Sequence, residues 1–199
     1  MAQSIPPSVV GIVLAAGSGS RLGRPKAEVT VDGVRLLDRA VIAARDGGCQ
    51  RIIAVVREGT RAPTVPTEPT LQVVVNPDPD RGMRSSLALG VAAATAEGMP
   101  PAALAVLLVD MPGIGPTAVR TVVARWRPGR ICIGTYDGRR GHPIVMAPQL
   151  WQDALAVAAP DEGARRYLSE HAEIVDEVAV PGDPADLDTP TDLQRWSGG

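Results

Sequence analysis

From Leu14 to Lys26 the chain reads Leu-Ala-Ala-Gly-Ser-Gly-Ser-Arg-Leu-Gly-Arg-Pro-Lys. Small side chains and glycines let backbone N–H groups come close to an anion. Arg21 adds a planar fork that matches two phosphate oxygens, and Lys26 adds a compact point charge. The pattern suits a triphosphate cradle; the competing reading is a glycine-rich turn with solvated charges. The segment lacks Gly-x-x-x-x-Gly-Lys-Ser/Thr and is not a P-loop. Gly17, Gly19 and Gly23 loosely imitate a dinucleotide fingerprint, but such a loop runs straight into an apolar helix. Here Pro25-Lys26 and the extended-looking stretch Val29-Thr30-Val31-Asp32-Gly33 follow instead.

Two acids are placed for metal chemistry. Asp110 ends the apolar run Ala103 to Val109, where the tip of a buried parallel strand points into a ligand crevice. Mg²⁺ takes one or two carboxylates together with substrate phosphates, so Asp110 is a candidate ligand. Asp188 lies in the late acidic cluster Asp183 to Asp192, directly before Thr189-Pro190. Each acid has a structural alternative: Asp110 could cap the next turn, and Asp188 the helix that follows. Lys26 is the single lysine among 20 basic residues. In a chain that otherwise uses Arg, a narrow ammonium at this position suggests a crowded site.

The elements that must position these residues alternate between strand and helix. Val9 to Leu14, Arg51 to Val56, Leu71 to Val75 and Ala103 to Val109 are apolar runs of the kind buried parallel strands show. Leu36, Leu37, Ala40, Val41 and Ala44 share one helical face that stops at Gly47-Gly48. Ser85 to Thr95 reads as a helix. Pro116 opens another, with Val119, Val122, Val123 and Trp126 at helical spacing. Arg130 to Thr135 and His142 to Met146 flank an Asp137-Gly138 turn. Helices follow from Pro148, over Ala164 to Glu170 and from Pro190, with Glu173 to Val180 as an edge strand. The expected fold is α/β, a three-layer sandwich on a mainly parallel sheet, forming one domain over residues 1–199. Glu58 to Thr70 holds three prolines and reads as an irregular loop in place of a crossover helix.

Composition excludes several classes. The 199 residues are 45% hydrophobic and 21% charged, which is globular rather than disordered. A net charge of −2, with no Phe, three Trp and two Tyr, gives neither a basic field nor stacking platforms for nucleic acid. No apolar run has the length of a membrane span. Met1 to Ser8 carries no basic residue and makes a poor export signal. Cys49 and Cys132 are too few for a disulfide scaffold and read as reduced core thiols, so the cytoplasm is the expected compartment.

The opening motif resembles that of nucleotidyltransferases with a GT-A/Rossmann-like fold. Later segments narrow the likeness: Asn76-Pro77, Gly82-Met83-Arg84-Ser85-Ser86-Leu87, Leu108-Val109-Asp110-Met111-Pro112, Gly141-His142-Pro143, Asp161-Glu162-Gly163-Ala164-Arg165 and Asp188-Thr189-Pro190-Thr191-Asp192. Taken in order, from Val10 to Trp196, the set resembles molybdenum cofactor cytidylyltransferases and their near relatives. The resemblance implies attack by a phosphate oxygen of molybdopterin on the α-phosphate of CTP, with Mg²⁺ bound and pyrophosphate released. It implies that Leu14, Ala15, Ala16, Gly17, Gly19, Asn76 and Ser86 form the nucleotide site. Arg21 and Lys26 would hold the phosphates, and Asp110 and Asp188 the metal. Ala16 favours CTP, since guanylyl-transferring relatives tend to carry Gly there. His142 and Arg165 would face the acceptor; the alternatives are a structural His on a backbone carbonyl and an Arg on a solvated helix face. Met83 packs on a ligand or joins the core.

The same chemistry on GTP, or on a sugar phosphate or methylerythritol phosphate, is the nearer rival. A nucleotide-binding chaperone without turnover and a dehydrogenase are the rivals from other classes. A monomer is expected, with a molybdoenzyme or its chaperone as recipient of the product.

Overall fold

The computed structural model describes residues 8–65, 70–96 and 100–197. Residues 1–7, on which the export-signal reading mostly rests, and 66–69 of the Pro-rich segment lie outside the described residues. In chain order the elements are β1 (Val9–Ala15), β2 (Thr30–Val31), β3 (Val34–Arg35), α1 (Leu36–Asp46), β4 (Arg51–Arg57), β5 (Thr70–Asn76), α2 (Met83–Thr95), β6 (Ala103–Leu108), α3 (Pro116–Arg125), β7 (Ile131–Tyr136), β8 (Arg139–Met146), α4 (Pro148–Val157), α5 (Arg165–Glu170), β9 (Val175–Ala179) and α6 (Pro190–Ser197). Seven strands form one sheet in the order β5-β4-β1-β6-β8-β7-β9, and β2 and β3 pair as a separate hairpin.

β1 shows why the central runs are apolar throughout. Val9, Val13 and Ala15 enter one core, which includes residues of α1 and α3. Val10, Ile12 and Leu14 enter the other, with residues of α2, α4 and α5. Period-2 side chains buried on both faces make the expected three-layer sandwich. The sheet is parallel from β5 to β6 and between β7 and β9, whereas β8 runs antiparallel to both its neighbours. Burial pushes the Cys49 thiol up to about 12 and that of Cys132, aided by Asp176, up to about 11. Both are free and buried, as core thiols should be.

Some boundaries differ from expectation for tertiary reasons. α2 begins at Met83 rather than Ser85 because the Arg84 N–H donates to the Pro160 carbonyl at 3.0 Å, a partner far away in sequence. Trp126 leaves the helical path after α3 yet stays buried, its indole N–H donating to the Arg130 carbonyl. The stretch after Lys26 is the β2–β3 hairpin. Asp32 and Gly33 both take positive φ in its two-residue turn, as type I′ geometry requires.

The described part of the Pro-rich segment has no helix and is held by charge. Arg35 is buried and grips Asp38 with two N–H groups, at 2.9 and 3.0 Å, and also donates to the Ala62 carbonyl at 2.8 Å. Asp38 accepts from the N–H and hydroxyl of Thr64, each at 3.0 Å. Glu28 accepts from Arg61 and Arg35. Glu28 belongs to the 3-10 turn Lys26–Glu28, so the network also braces the turn that carries Lys26.

Burial raises the Asp38 pKa, but Arg35 and Thr64 outweigh it and hold the carboxyl below its ordinary value. Its stabilisation is therefore present above the unfolded pKa of ~3.9 and is lost as pH falls through the lower folded value. Asp38→Asn should cost about 3 kcal/mol at pH 7, as for removal of one partner from a buried pair. Denaturant melts should show the gap to wild type closing below pH ~4, and a gap unchanged by acid would contradict this account.

Candidate active site

β1 and β6 are adjacent and parallel, with Leu14 opposite Leu108, so both deliver their carboxyl ends to one edge. The loop after β1 folds back on itself. Gly19 is buried with φ 60°, and a Cβ there would strike the Arg24 carbonyl. The Lys26 N–H reaches the Gly17 carbonyl at 3.4 Å, bringing Lys26 back to the mouth of the strand. Its Nζ donates to Asp110 Oδ2 at 2.5 Å and, closer still, to Asp188 Oδ1. Burial alone would lower the lysine pKa; Asp110 and then Asp188 overcome it, holding the ammonium above its ordinary value.

Asp188 arrives from the far end of the chain by specific ties. Leu187 is fully buried, and its N–H donates to the Asp110 carbonyl at 2.7 Å. The Asp183 N–H donates to the Gly113 carbonyl. Thr189 caps α6, its hydroxyl oxygen accepting from the Asp192 N–H at 3.2 Å, while the Asp192 carboxylate reaches back to accept from the N–H groups of Asp188 and Thr189 and from the Thr189 hydroxyl. The Asp188 carboxylate is thus released from capping. Asp110 likewise caps nothing: Oδ2 is on Lys26, and Oδ1 is buried without a hydrogen-bond partner among the described residues.

Two cavities meet at Asp110, and Leu14, Met83, Leu108 and Asp161 border both. One, of about 340 Å³, is walled by Ala16, Gly17, Lys26 and Ser86. The other, of about 540 Å³, is walled by His142, Trp151, Arg165 and Asp186 among others. Two adjoining cavities that share one acid have room for two small molecules whose near ends would meet at Asp110.

Several sequence expectations need revision of place. Asn76 is buried behind the first cavity, donating to Ser85 and Ser86 at 2.9 Å, so it orients Ser86 rather than lining the wall. Ala15 is buried in the sheet, and Arg21 stands exposed on the turn Ser20–Leu22; neither borders either cavity. Met83 is exposed rather than core. His142 bonds a backbone carbonyl, as its structural reading expects, Nδ1 meeting the Val106 carbonyl at 2.9 Å; the ring also lines the second cavity. Burial lowers its pKa against the pull of that carbonyl and of Asp110, so the ring is neutral near pH 7. Nδ1 is therefore the donor, and Nε2 keeps its lone pair.

Asp161 enters the sequence reading only as part of the segment Asp161 to Arg165, and Asp186 only within the acidic cluster Asp183 to Asp192, neither with a role of its own. Burial first, then the charges of Asp110 and Asp188, push Asp186 up to about 6 against the pull of Lys26. The only signal for Asp186 was its spacing two residues before Asp188.

The donor set fits a divalent cation of the Mg²⁺ type. Two carboxylates converge on one ammonium, and Asp110 Oδ1 is buried without a hydrogen-bond partner among the described residues. Among the described residues no group of three or more His, Cys, Asp or Glu is arranged around a metal position. Two carboxylates completed by substrate phosphates match Mg²⁺ better than a protein-only cage would. No helix among the described residues is long and apolar enough to cross a membrane.

Comparison with known proteins agrees with this geometry. Nicotine blue oxidoreductase of Paenarthrobacter nicotinovorans is 35% identical over 202 residues, covering 95% of this chain and 96% of that protein. A probable molybdenum cofactor guanylyltransferase of Opitutus terrae is 32% identical over 107 residues, covering 54% of this chain and 50% of that protein. The crystal structure of Rv0371c from Mycobacterium tuberculosis overlays with a TM-score of 0.81 at 25% identity, over 98% of this chain and 100% of that one. Its manganese complex overlays at 0.73 with 23% identity, over 96% and 98% of the two chains. A family model described as the MobA-like NTP transferase domain matches residues 11–175. With the sheet order and the cleft at Asp110 already in place, that match makes the chain a member of the MobA-like NTP transferase family, a nucleotidyltransferase.

Proposed function

We propose that the chain transfers CMP from CTP to the phosphate of metal-loaded molybdopterin and releases pyrophosphate. The observation that carries this reading is that Asp110 borders both cavities while Lys26, on the wall of the first, bonds Asp110 and Asp188 together. An acceptor phosphate is ionised at neutral pH, so no general base is required. Catalysis then rests on positioning and on charge neutralisation. Gly17 offers its N–H to the phosphates from the cavity wall. Ser86, held by Asn76, faces the ribose and base. Lys26 neutralises charge that builds at the α-phosphate. Asp110 and Asp188 would hold the divalent cation, which supplies further neutralisation of the phosphates when bound. Arg165 binds the acceptor phosphate at the rim of the second cavity, and His142 offers Nε2 to a donor on the acceptor. Ala16 supports CTP; the relatives named guanylyltransferase keep GTP as the rival nucleotide.

A second reading has a specific observation behind it: the relative named an oxidoreductase aligns over almost the whole chain. A nicotinamide dinucleotide would then use the cradle formed by Gly17 to Gly23. The 3-10 turns at Ser20–Leu22 and Lys26–Glu28, rather than an apolar helix, follow the glycines and weigh against it. The partly buried lysine–carboxylate trio also suits neutralisation of phosphate charge better than hydride transfer.

The two readings separate in one set of measurements. Purified protein with Mg²⁺ and metal-loaded molybdopterin should release pyrophosphate with CTP, more than with GTP, ATP or UTP. Release with GTP alone would reassign the base. Saturable NADPH binding by fluorescence, with no pyrophosphate from any nucleotide, would replace transfer by the redox reading. Lys26→Ala should lose on the order of 10²–10³ in turnover, as when one preorganised donor is removed; near-normal turnover would take Lys26 out of the mechanism.

The two glycines should also part company. A Cβ on Gly17 would sit 3.6 Å from Lys26 Cδ, an ordinary contact, whereas one on Gly19 meets backbone at positive φ. Gly19→Ala should weaken nucleotide binding by roughly fivefold or more, as left-handed strain and a reshaped loop would cost at least about 1 kcal/mol. Gly17→Ala should be milder in a calorimetric titration; the reverse order would contradict the loop geometry.

A further inference from the structure

Lys26 occupies a position that phosphate chemistry alone does not call for. Its ammonium bonds Asp110 Oδ2 and Asp188 Oδ1 together, filling the space between the two carboxylates. The same side chain runs along the cradle, with Cδ 3.6 Å from where a Cβ on Gly17 would lie. Its backbone is fixed at both ends of the turn, by Gly17 at Lys26 and by the arginine contacts of Glu28. Lysine has a flexible four-carbon stem and a point charge with no directional fork. Rotation about side-chain bonds is therefore enough to carry Nζ from the acids toward the cradle with the backbone still.

Charge decides between these two stations. Two carboxylates and one ammonium leave a single net negative charge in a partly buried pocket, where like charges are poorly screened. A divalent cation approaching the carboxylates is repelled by the ammonium between them. A triphosphate offers that ammonium a stronger anionic partner at the cradle. When Nζ leaves, both carboxylates are freed, including the oxygen of Asp110 that is buried and unbonded. We infer that Lys26 is a resident counter-cation that keeps divalent ions out of the Asp110–Asp188 pair until nucleotide phosphates draw it away. This rests on the reading of those acids as the metal-holding pair. Nucleotide and metal then load as one coupled event, and by linkage each strengthens the other equally.

Binding of Mn²⁺, followed by the electron paramagnetic resonance signal of the free ion, tests this without turnover. Wild type should take Mn²⁺ weakly alone and about 10- to 100-fold more tightly with a non-hydrolysable CTP analogue. Lys26→Met should bind Mn²⁺ alone about tenfold more tightly than wild type, and the analogue should then help correspondingly less. Lys26→Arg, which keeps the charge, should stay as weak as wild type. Adding Asp110→Asn to Lys26→Met should abolish the gain. A Lys26→Met chain that melts higher with Mn²⁺, or folds only with it, supports the inference equally. Equal Mn²⁺ affinity in wild type and Lys26→Met overturns it, as does a gain that survives Asp110→Asn, or a wild type indifferent to the analogue. A Lys26→Met gain in a protein that releases no pyrophosphate from any nucleotide would sink the transfer reading and leave this one standing.

Discussion

One ammonium joins parts of the chain that are 84 and 162 residues apart from it. Lys26, Asp110 and Asp188 come from the loop after β1, the turn after β6 and the segment before α6. Only the parallel adjacency of β1 and β6 brings the first two to one edge. The third arrives because Leu187 is buried and tied to the Asp110 carbonyl. Without Lys26 the two acids would face each other unneutralised; without the acids a half-buried lysine would lack a partner. Each group makes the others' burial tolerable, and the architecture serves to keep the three together.

The supports of this trio are mostly backbone and charge rather than apolar packing. Thr189 and Asp192 cap α6 between them and so leave the Asp188 carboxylate available. Asn76 holds Ser86 from behind. The Arg35–Asp38 pair and Glu28 anchor an irregular loop and, through it, the turn of Lys26. A crossover helix would have covered the same ground with apolar side chains. This chain uses a bidentate ion pair, which fixes direction as well as distance.

Much of the fold was legible in the sequence because the central strands are buried on both faces. Such burial demands continuous apolar runs, and Ala103 to Leu108 is one, too short for a helix of ordinary length. The starts of α3 and α4 were legible because Pro116 and Pro148 mark first helical turns. Boundaries set by distant partners were not: Pro160 decides where α2 begins, and the buried Trp126 belongs to the helical spacing but not to the helix. At the site, residue type announced Lys26 and Asp110. Sequence could not tell that Asn76 stands behind Ser86, that Arg21 faces solvent, or that Asp161 borders both cavities. Those are facts of depth and direction, which a one-dimensional pattern does not encode.

α6 has no buried residue of its own, and it rests on Gly113 through the ring of Trp196. Shallowly seated helices open before central sheets do. One carboxylate of the trio therefore stands between a firm anchor, the buried Leu187, and a shallowly seated helix. Fraying of that helix would release the Asp192 contact to the Asp188 backbone while the sheet and Leu187 stay in place, so precision at the site can loosen before the fold does.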